Sequence, residues 1–263
     1  MAKPRVAVHK FSSCDGCQLA FLNAGEDLLT LCELVDIVHF AEAGPVDDTA
    51  LADIAFIEGS ITTPHEAMRI QEIRQRSRFV ITIGACATTG GLQALRQCVD
   101  SQNWVAGVYA SPQYIQSLAT STAIASHIKV DFELWGCPVN GQQVLQAVRF
   151  LLFGVLPADK KDAECMECKR RGQVCVLITK KASCMGPVTK TGCGALCPTH
   201  GRGCYGCFGP QANPNTTSLG KRFELFSLSP AVVARQFLHI NNQAPAFLKA
   251  GNQFKGIPIR YEP

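Results

Sequence analysis

The 263-residue sequence lacks any apolar run long enough to cross a membrane, since its longest one covers only residues 150–156 and a spanning helix needs about 18 apolar residues or more. The N-terminal residues also lack the apolar core of a secretory signal and a twin-arginine pair. We therefore expect a cytoplasmic protein without membrane association. Charged residues are few, at 17% against 47% apolar residues, which excludes a disordered chain.

Cysteine, by contrast, is abundant, with 14 residues. In a reducing compartment we do not expect so many cysteines to form disulfides, so metal or redox chemistry explains them better. Eight of them lie within residues 165–207. The charge changes at the same place, because residues 1–164 carry a net charge of −6 and residues 165–263 carry +10. We expect two domains, residues 1–157 and residues 158–263.

The basic character of residues 165–263 has two explanations. Basic segments often bind nucleic acid, but aromatic residues are not interleaved with the basic ones here, as a base-stacking surface would require. Alternatively, the positive charge offsets bound iron–sulfur clusters, which with four thiolates carry a net negative formal charge. We favour the second explanation and expect no nucleic-acid partner. A zinc-stabilised nucleic-acid-binding module is the alternative.

Apolar and β-branched runs alternate with helical patterns along residues 1–157. Strands are predicted at residues 5–11, 35–40, 54–57, 79–83 and within 126–135, and helices at residues 18–33, 64–78 and 142–153. This alternation is typical of a parallel sheet with helices on both faces. The predicted fold class is α/β, with a flavodoxin-like parallel-sheet N-terminal domain followed by a smaller, irregular, cluster-binding C-terminal domain.

Four cysteines of the N-terminal domain follow predicted strands directly. Cys14 and Cys17 follow the first strand, and Cys86 and Cys137 follow two later ones. The carboxyl ends of parallel strands share one edge of the sheet, where α/β proteins place ligand sites. Four thiolates there suit a cubane cluster or a tetrahedral metal such as zinc. Glu58 also ends a strand and is expected at the same edge.

Two further cysteines, Cys32 and Cys98, have no cysteine neighbour in the sequence. We expect both to be buried small apolar side chains rather than ligands. His65 and His200 are equally isolated, and we assign neither of them as a ligand.

The eight cysteines of the C-terminal domain make two sets of four, with 2, 6, 8, 8, 3, 6 and 2 residues between them. Glycine, proline, lysine and threonine fill the gaps, so ligand bonds must supply the stability that apolar burial cannot. Zinc ribbons usually repeat a C-x2-C pair at both ends of a longer loop. Here that pair occurs only at Cys165/Cys168 and at Cys204/Cys207, which favours iron–sulfur clusters over zinc.

Taken together, these motifs resemble the small subunit of a nickel–iron hydrogenase. The motifs are Cys14-Asp15-Gly16-Cys17, Glu58-Gly59-Ser60-Ile61, Gly84-Ala85-Cys86 with Gly90-Gly91, Gly136-Cys137-Pro138, Cys184-Met185-Gly186-Pro187-Val188-Thr189 before Cys193, and Cys204-Tyr205-Gly206-Cys207. The resemblance covers nearly the whole chain. It is strongest to the cytoplasmic group, in particular to the delta subunit of the NAD(P)-linked sulfhydrogenase type. Cys165 stands where the membrane-bound and periplasmic branch has a histidine, and Cys197 stands where that branch commonly has a proline.

The resemblance implies three [4Fe–4S] clusters. The proximal cluster would be held by Cys14, Cys17, Cys86 and Cys137. The distal cluster would be held by Cys165, Cys168, Cys175 and Cys184, and the medial cluster by Cys193, Cys197, Cys204 and Cys207. It also implies an electron-transfer subunit without catalytic residues, since the Ni–Fe centre belongs to a separate large subunit. The implied further partners are a diaphorase subunit that binds FAD and NAD(P) and an Fe–S electron-transfer subunit. A deazaflavin or heterodisulfide-reductase-linked acceptor is the alternative.

Overall fold

The computed structural model describes residues 3–255, and the chain divides into two compact units after Pro157. Among the described residues, no helix combines the length and the hydropathy that a membrane span requires.

The N-terminal unit is built on a five-stranded sheet. Its strands are β1 Arg5–Lys10, β2 Asp36–Phe40, β3 Ala52–Glu58, β4 Ser77–Ile83 and β5 Phe132–Leu134. They lie in the order β2-β1-β3-β4-β5, and every neighbouring pair is parallel. The register places Glu58 opposite both Lys10 and Ile83, so the three central strands end level with one another. The predicted α/β class with a parallel sheet is confirmed.

Helices cover both faces of this sheet. They are α1 Gly16–Leu22, α2 Glu26–Leu34, α3 Pro64–Arg76, α4 Gly84–Thr89, α5 Ser101–Val108 and α6 Gly141–Leu152. Alternate residues of β3 enter two separate cores, because side chains of a strand point to opposite faces in turn. Phe56 packs with Phe21 and Val144 on one face, whereas Ile57 packs with Ile70 on the other.

The single helix predicted over residues 18–33 is wrong, because the chain forms two helices, α1 and α2, there. Gly25 interrupts them with a φ of +62°, a conformation that glycine adopts at little cost. Leu31 of α2 faces the core, and Cys32 beside it is exposed. The expected burial of Cys32 is therefore wrong, and Cys98 is only partly buried.

The C-terminal unit is helical and irregular. Its helices are α7 Glu164–Arg170, α8 Val176–Thr179, α9 Leu196–Thr199, α10 Thr216–Glu224, α11 Pro230–Phe237 and α12 Pro245–Phe254. Phe237 of α11 packs against Phe247 and Phe254 of α12, with ring centroids 6.1 and 6.2 Å apart. Helices α10 to α12, which the sequence analysis did not predict, thus give this unit an apolar core of its own beside the cysteine-rich loops.

Candidate metal-cluster sites

The four strand-end cysteines of the N-terminal unit meet at the carboxyl edge of the sheet. Cys14 lies after β1, Cys17 in the first turn of α1, Cys86 in α4 after β4, and Cys137 after β5. Burial raises the thiol pKa of Cys86 to about 11, and the neighbouring Cys137, Cys14 and Glu58 add to the shift. Burial also raises the pKa of Cys17, with further contributions from Glu58, Cys86 and Cys137. These mutual effects place the four thiols in one group, the inner quartet.

Two glycines make room for the sulfurs of the inner quartet. A Cβ atom added to Gly84 would lie 2.3 Å from Sγ of Cys17, and one added to Gly91 would lie 2.7 Å from Sγ of Cys86. Both glycines have positive φ angles, +85° and +55°, which other residues adopt only with strain. The glycine-rich motif around Cys86 therefore has a steric role in this site.

Glu58 braces the helix turn that carries Cys17. Its carboxylate is buried, with 2% of the residue exposed. Oε1 accepts a hydrogen bond from the backbone N–H of Cys17 at 2.9 Å, and Oε2 accepts from the backbone N–H and from Nε2 of Gln18 at 3.3 and 2.9 Å. Burial raises the pKa of Glu58, and these three donors oppose that shift. Glu58 thus lies at the expected edge and fixes the position of one thiol of the inner quartet.

A second group of thiols, the α7 quartet, lies in the C-terminal unit. Cys165 and Cys168 lie on α7, and Cys175 immediately precedes α8. Burial raises the thiol pKa of Cys165 to about 12, and Cys184, Cys168 and Cys175 add to the shift. A Cβ atom on Gly186 would lie 3.4 Å from Sγ of Cys184 and 3.5 Å from Sγ of Cys165. All four thiols therefore border one region of this unit.

The last four cysteines of the sequence, which we name the C-terminal quartet, are Cys193, Cys197, Cys204 and Cys207. Burial raises the pKa of Cys193 to about 12, and Cys207 contributes. Cys207 also adds to the rise that burial causes in the pKa of Cys204. Cys197 belongs to this quartet by its order in the sequence, and the thiol whose raised pKa it adds to is Cys184 of the α7 quartet.

Glu164 is a buried carboxyl group that the sequence analysis did not single out. Only 1% of the residue is exposed, and its Oε1 accepts a hydrogen bond from the Cys193 thiol at 3.3 Å. It also adds to the raised pKa of Cys168. Glu164 therefore lies between the α7 quartet and the C-terminal quartet. Its only signal in the sequence is its position directly before the Cys165/Cys168 pair.

The sulfur spacing fits clusters better than single ions. Four thiolates around one zinc ion, with Zn–S bonds of about 2.3 Å, lie roughly 3.8 Å from one another. Within residues 3–255, the one group of three or more His, Cys, Asp or Glu ligand atoms lying within 4.8 Å of one another is His9, His39 and Asp48. No three cysteine sulfurs of these residues are that close. A cubane places a separate iron at each thiolate and so fits the wider quartets.

The His9, His39 and Asp48 group does not fit a metal ion. Nδ1 of His39 accepts a hydrogen bond from the backbone N–H of Asp47 at 3.1 Å, so in the neutral ring Nε2 carries the proton and offers no lone pair. Asp48 is already paired with Arg69 at 3.2 Å. The two histidines that the sequence analysis left unassigned, at positions 65 and 200, are both exposed.

One protein-family model matches about half of the chain. The model of the family described as NADH ubiquinone oxidoreductase, 20 Kd subunit, matches residues 14–151. This range contains all four cysteines of the inner quartet.

Individual relatives extend the likeness over most of the chain. Sulfhydrogenase 2 subunit delta of Pyrococcus furiosus is 32% identical over 215 residues, which cover 82% of this chain and 90% of that protein. The coenzyme F420 hydrogenase subunit gamma of Methanococcus voltae is 27% identical, over 73% of this chain and 82% of that protein. A chain of the solved NAD+-reducing [NiFe]-hydrogenase in the H2-reduced state is 25% identical with a TM-score of 0.55, over 59% of this chain and 94% of that one.

Proposed function

Because this chain belongs to the family of the NADH ubiquinone oxidoreductase 20 Kd subunit, and within it to the hydrogenase small subunits, we propose that it is the electron-transfer subunit of a cytoplasmic [NiFe]-hydrogenase and that each quartet holds one [4Fe–4S] cluster. The observation that carries this proposal is the convergence of Cys14, Cys17, Cys86 and Cys137 at one edge of the sheet. A single ion would need closer sulfurs, since no three cysteine sulfurs of residues 3–255 lie within 4.8 Å of one another. Such clusters, when bound, accept and release single electrons at potentials that their surroundings set.

The chain's own groups position and tune the thiolates. The backbone N–H of Val139 donates to Sγ of Cys17 at 3.4 Å, and that of Cys204 donates to Sγ of Cys184 at 3.2 Å. Such hydrogen bonds stabilise the added negative charge of a reduced cluster and so raise its potential. The nearby Glu58 has the opposite effect on the inner quartet, because its carboxylate adds to the raised thiol pKa of Cys17.

Hydrogen chemistry is assigned to a separate large subunit. Once the quartets are formed, the chain retains only Cys32 on α2 and Cys98 at the end of the 3-10 helix Gly91–Cys98. These two thiols lie on different elements and belong to no cysteine pair, so they do not form a metal-binding motif beyond the three quartets. The function proposed for this chain is electron relay, with an Ni–Fe large subunit as its partner.

For the electron acceptor we propose a diaphorase subunit that binds FAD and NAD(P), reached through an Fe–S electron-transfer subunit. The support is the 25% identity to a chain of a hydrogenase that reduces NAD+. A deazaflavin or heterodisulfide-reductase-linked acceptor is the second candidate, because a relative of 27% identity is named as a subunit of a coenzyme F420 hydrogenase. Mass spectrometry of the native complex and H2-driven reduction of NAD+ and NADP+ decide between them, since the second candidate predicts no nicotinamide reduction.

Replacement of one ligand tests the relay itself. Cys14→Ser should remove or convert the inner cluster and abolish H2-driven dye reduction by the native complex, because a serine hydroxyl is a poor substitute for a thiolate ligand. Cys98→Ser is the matched control, since Cys98 belongs to no quartet, and should retain all iron and full dye reduction. Wild-type dye reduction in the Cys14→Ser complex would contradict the proposal.

A further inference from the structure

A cleft of about 540 Å3 opens in the C-terminal unit between residues 182–183, residues 201–205 and the end of α11. Two arginines line it, Arg202 from the loop and Arg235 from α11, and His239 lies beside them. No acidic side chain belongs to the residues that line this cleft. We call it the cationic cleft.

The two loops of the cationic cleft carry cysteines of two quartets. Ser183 immediately precedes Cys184 of the α7 quartet, and Gly203 immediately precedes Cys204 of the C-terminal quartet. The loops are joined by hydrogen bonds, from the N–H of Cys204 to Sγ of Cys184 at 3.2 Å and from the N–H of Met185 to the carbonyl of Cys204 at 2.9 Å. The cleft is therefore lined by residues next to one cysteine of each of these two quartets, and both cysteines are themselves buried.

Within the described residues the two arginines of the cationic cleft pair with no carboxylate, and Arg202 also acts on the Cys197 thiol, whose raised pKa it lowers. None of the ion pairs of residues 3–255 includes Arg202 or Arg235. Nζ of Lys180 donates to the carbonyl of Gly201 at 3.1 Å, which adds a third cation at the cleft edge. Tyr205 lines the cleft and is 48% exposed. Exposed arginine and tyrosine side chains are the types that most often anchor protein interfaces.

We propose that the cationic cleft docks the acidic surface of an electron-carrier protein, with Arg202 and Arg235 pairing with its carboxylates. This inference rests on the proposed function and names the chemistry of the partner. Each encounter passes one electron from the chain to the oxidised carrier, so two encounters consume the two electrons that one H2 molecule provides. A single aromatic residue in the cleft does not offer the repeated stacking surfaces that single-stranded nucleic acid requires, so an acidic protein is the better match.

The test compares three native complexes, which carry the wild-type chain, the double variant Arg202→Glu/Arg235→Glu, or the control Lys249→Glu. Lys249 is an exposed cation on α12 and does not line the cleft. The probe is a purified acidic bacterial ferredoxin. Its affinity in the oxidised state is measured by calorimetry, and its H2-driven reduction is compared with that of methyl viologen at low and high salt. Size-exclusion chromatography shows whether a variant complex has lost an acidic subunit of its own.

We expect the double variant to bind ferredoxin about 10- to 100-fold more weakly at low salt, since charge complementarity sets encounter and affinity. In the double variant the ratio of ferredoxin reduction to viologen reduction should fall by a similar factor. High salt should reduce the difference between the double variant and the wild type. Loss of a resident acidic subunit from the double variant alone would support the same docking. Three results would overturn the proposal. The Lys249→Glu complex could lose ferredoxin binding as much as the double variant does; the double variant could keep all subunits and bind ferredoxin like the wild type; or the two arginines could be needed for binding a DNA oligonucleotide instead of ferredoxin. Failure of the wild-type complex to reduce viologen would refute the proposed function instead.

Discussion

Gly84→Ala should dismantle the inner quartet, although it adds only one methyl group. The added Cβ would lie 2.3 Å from Sγ of Cys17 and 3.5 Å from the carbonyl oxygen of Gly136. Ordinary contacts between such atoms are about 3.5–4.0 Å, so the sulfur has to retreat by about 1 Å. A cubane site cannot absorb that shift at one ligand without losing a bond.

The energetic cost has two parts. The φ of +85° at Gly84 puts an alanine into a backbone region that costs about 1–3 kcal/mol. Overpacking of a well-packed site costs another 1–3 kcal/mol or so. We therefore expect a local destabilisation of about 2–6 kcal/mol at the position of the Cys17 thiol.

The assay is iron content with an EPR spectrum of the reduced, anaerobically purified complex. Gly84→Ala should lose up to four iron atoms per copy of this chain, together with the signal of one cluster. Gly107→Ala is the matched control, because Gly107 lies on α5 with no atom within 4 Å of an added Cβ. That control should keep all iron and gain slightly in stability, as alanine favours helices by about 1 kcal/mol over glycine. Full iron and an unchanged spectrum in Gly84→Ala would refute the steric argument.

Two further predictions concern charge. Glu58→Gln should speed hydrogen exchange of the α1 amides about 10- to 150-fold by mass spectrometry. The carboxylate accepts three hydrogen bonds, the amide keeps one acceptor oxygen, and the loss of one charged hydrogen bond costs about 1.5–3 kcal/mol. The control is Glu72→Gln, which alters an exposed ion pair with Arg76 on α3 and should leave that exchange unchanged; equal rates in both variants would contradict the bracing role. Lys169→Glu should lower the reduction potential of the α7 cluster by about 40 mV at low salt, as measured in an EPR-monitored titration. Lys169 lowers the pKa of Cys165 against the effect of burial, and the substitution changes the charge at this position by two units. Charge reversal at Lys180 and Lys181 should act in the same direction, and an unchanged titration in all three variants would defeat the electrostatic account.

Much of the N-terminal unit was predictable because its strands are short apolar runs bounded by turn residues. The convergence of Cys14, Cys86 and Cys137 follows from parallel pairing alone, since parallel strands end at one edge. The break between α1 and α2 was not predicted, because Leu28, Leu29 and Leu31 continue the helical spacing of the preceding apolar residues. The positive-φ conformation of Gly25 separates the two helices, and the spacing of the apolar residues does not reveal it.

The C-terminal unit shows where sequence reasoning stops. Cysteine spacing indicates two sets of four thiols, but it does not reveal that a buried carboxyl group, Glu164, lies between them, since burial depends on the packing of distant loops. Helices α10 to α12 did carry recognisable signals in the sequence. Asn215 caps α10 through its side chain, and Pro230 and Pro245 open the next two helices, as proline often does at a first helical turn.

The most direct test of the central claim is the iron, sulfide and zinc content of the anaerobically purified native complex, measured for the wild type and for one variant of each quartet: Cys17→Ser, Cys168→Ser and Cys207→Ser. The comparison with the wild type cancels the iron that partner subunits hold. Three [4Fe–4S] clusters predict that each variant loses between one and four iron atoms and changes a different EPR signal, with no zinc bound to this chain. Loss of one zinc ion per variant, with iron unchanged, would contradict the electron-relay account.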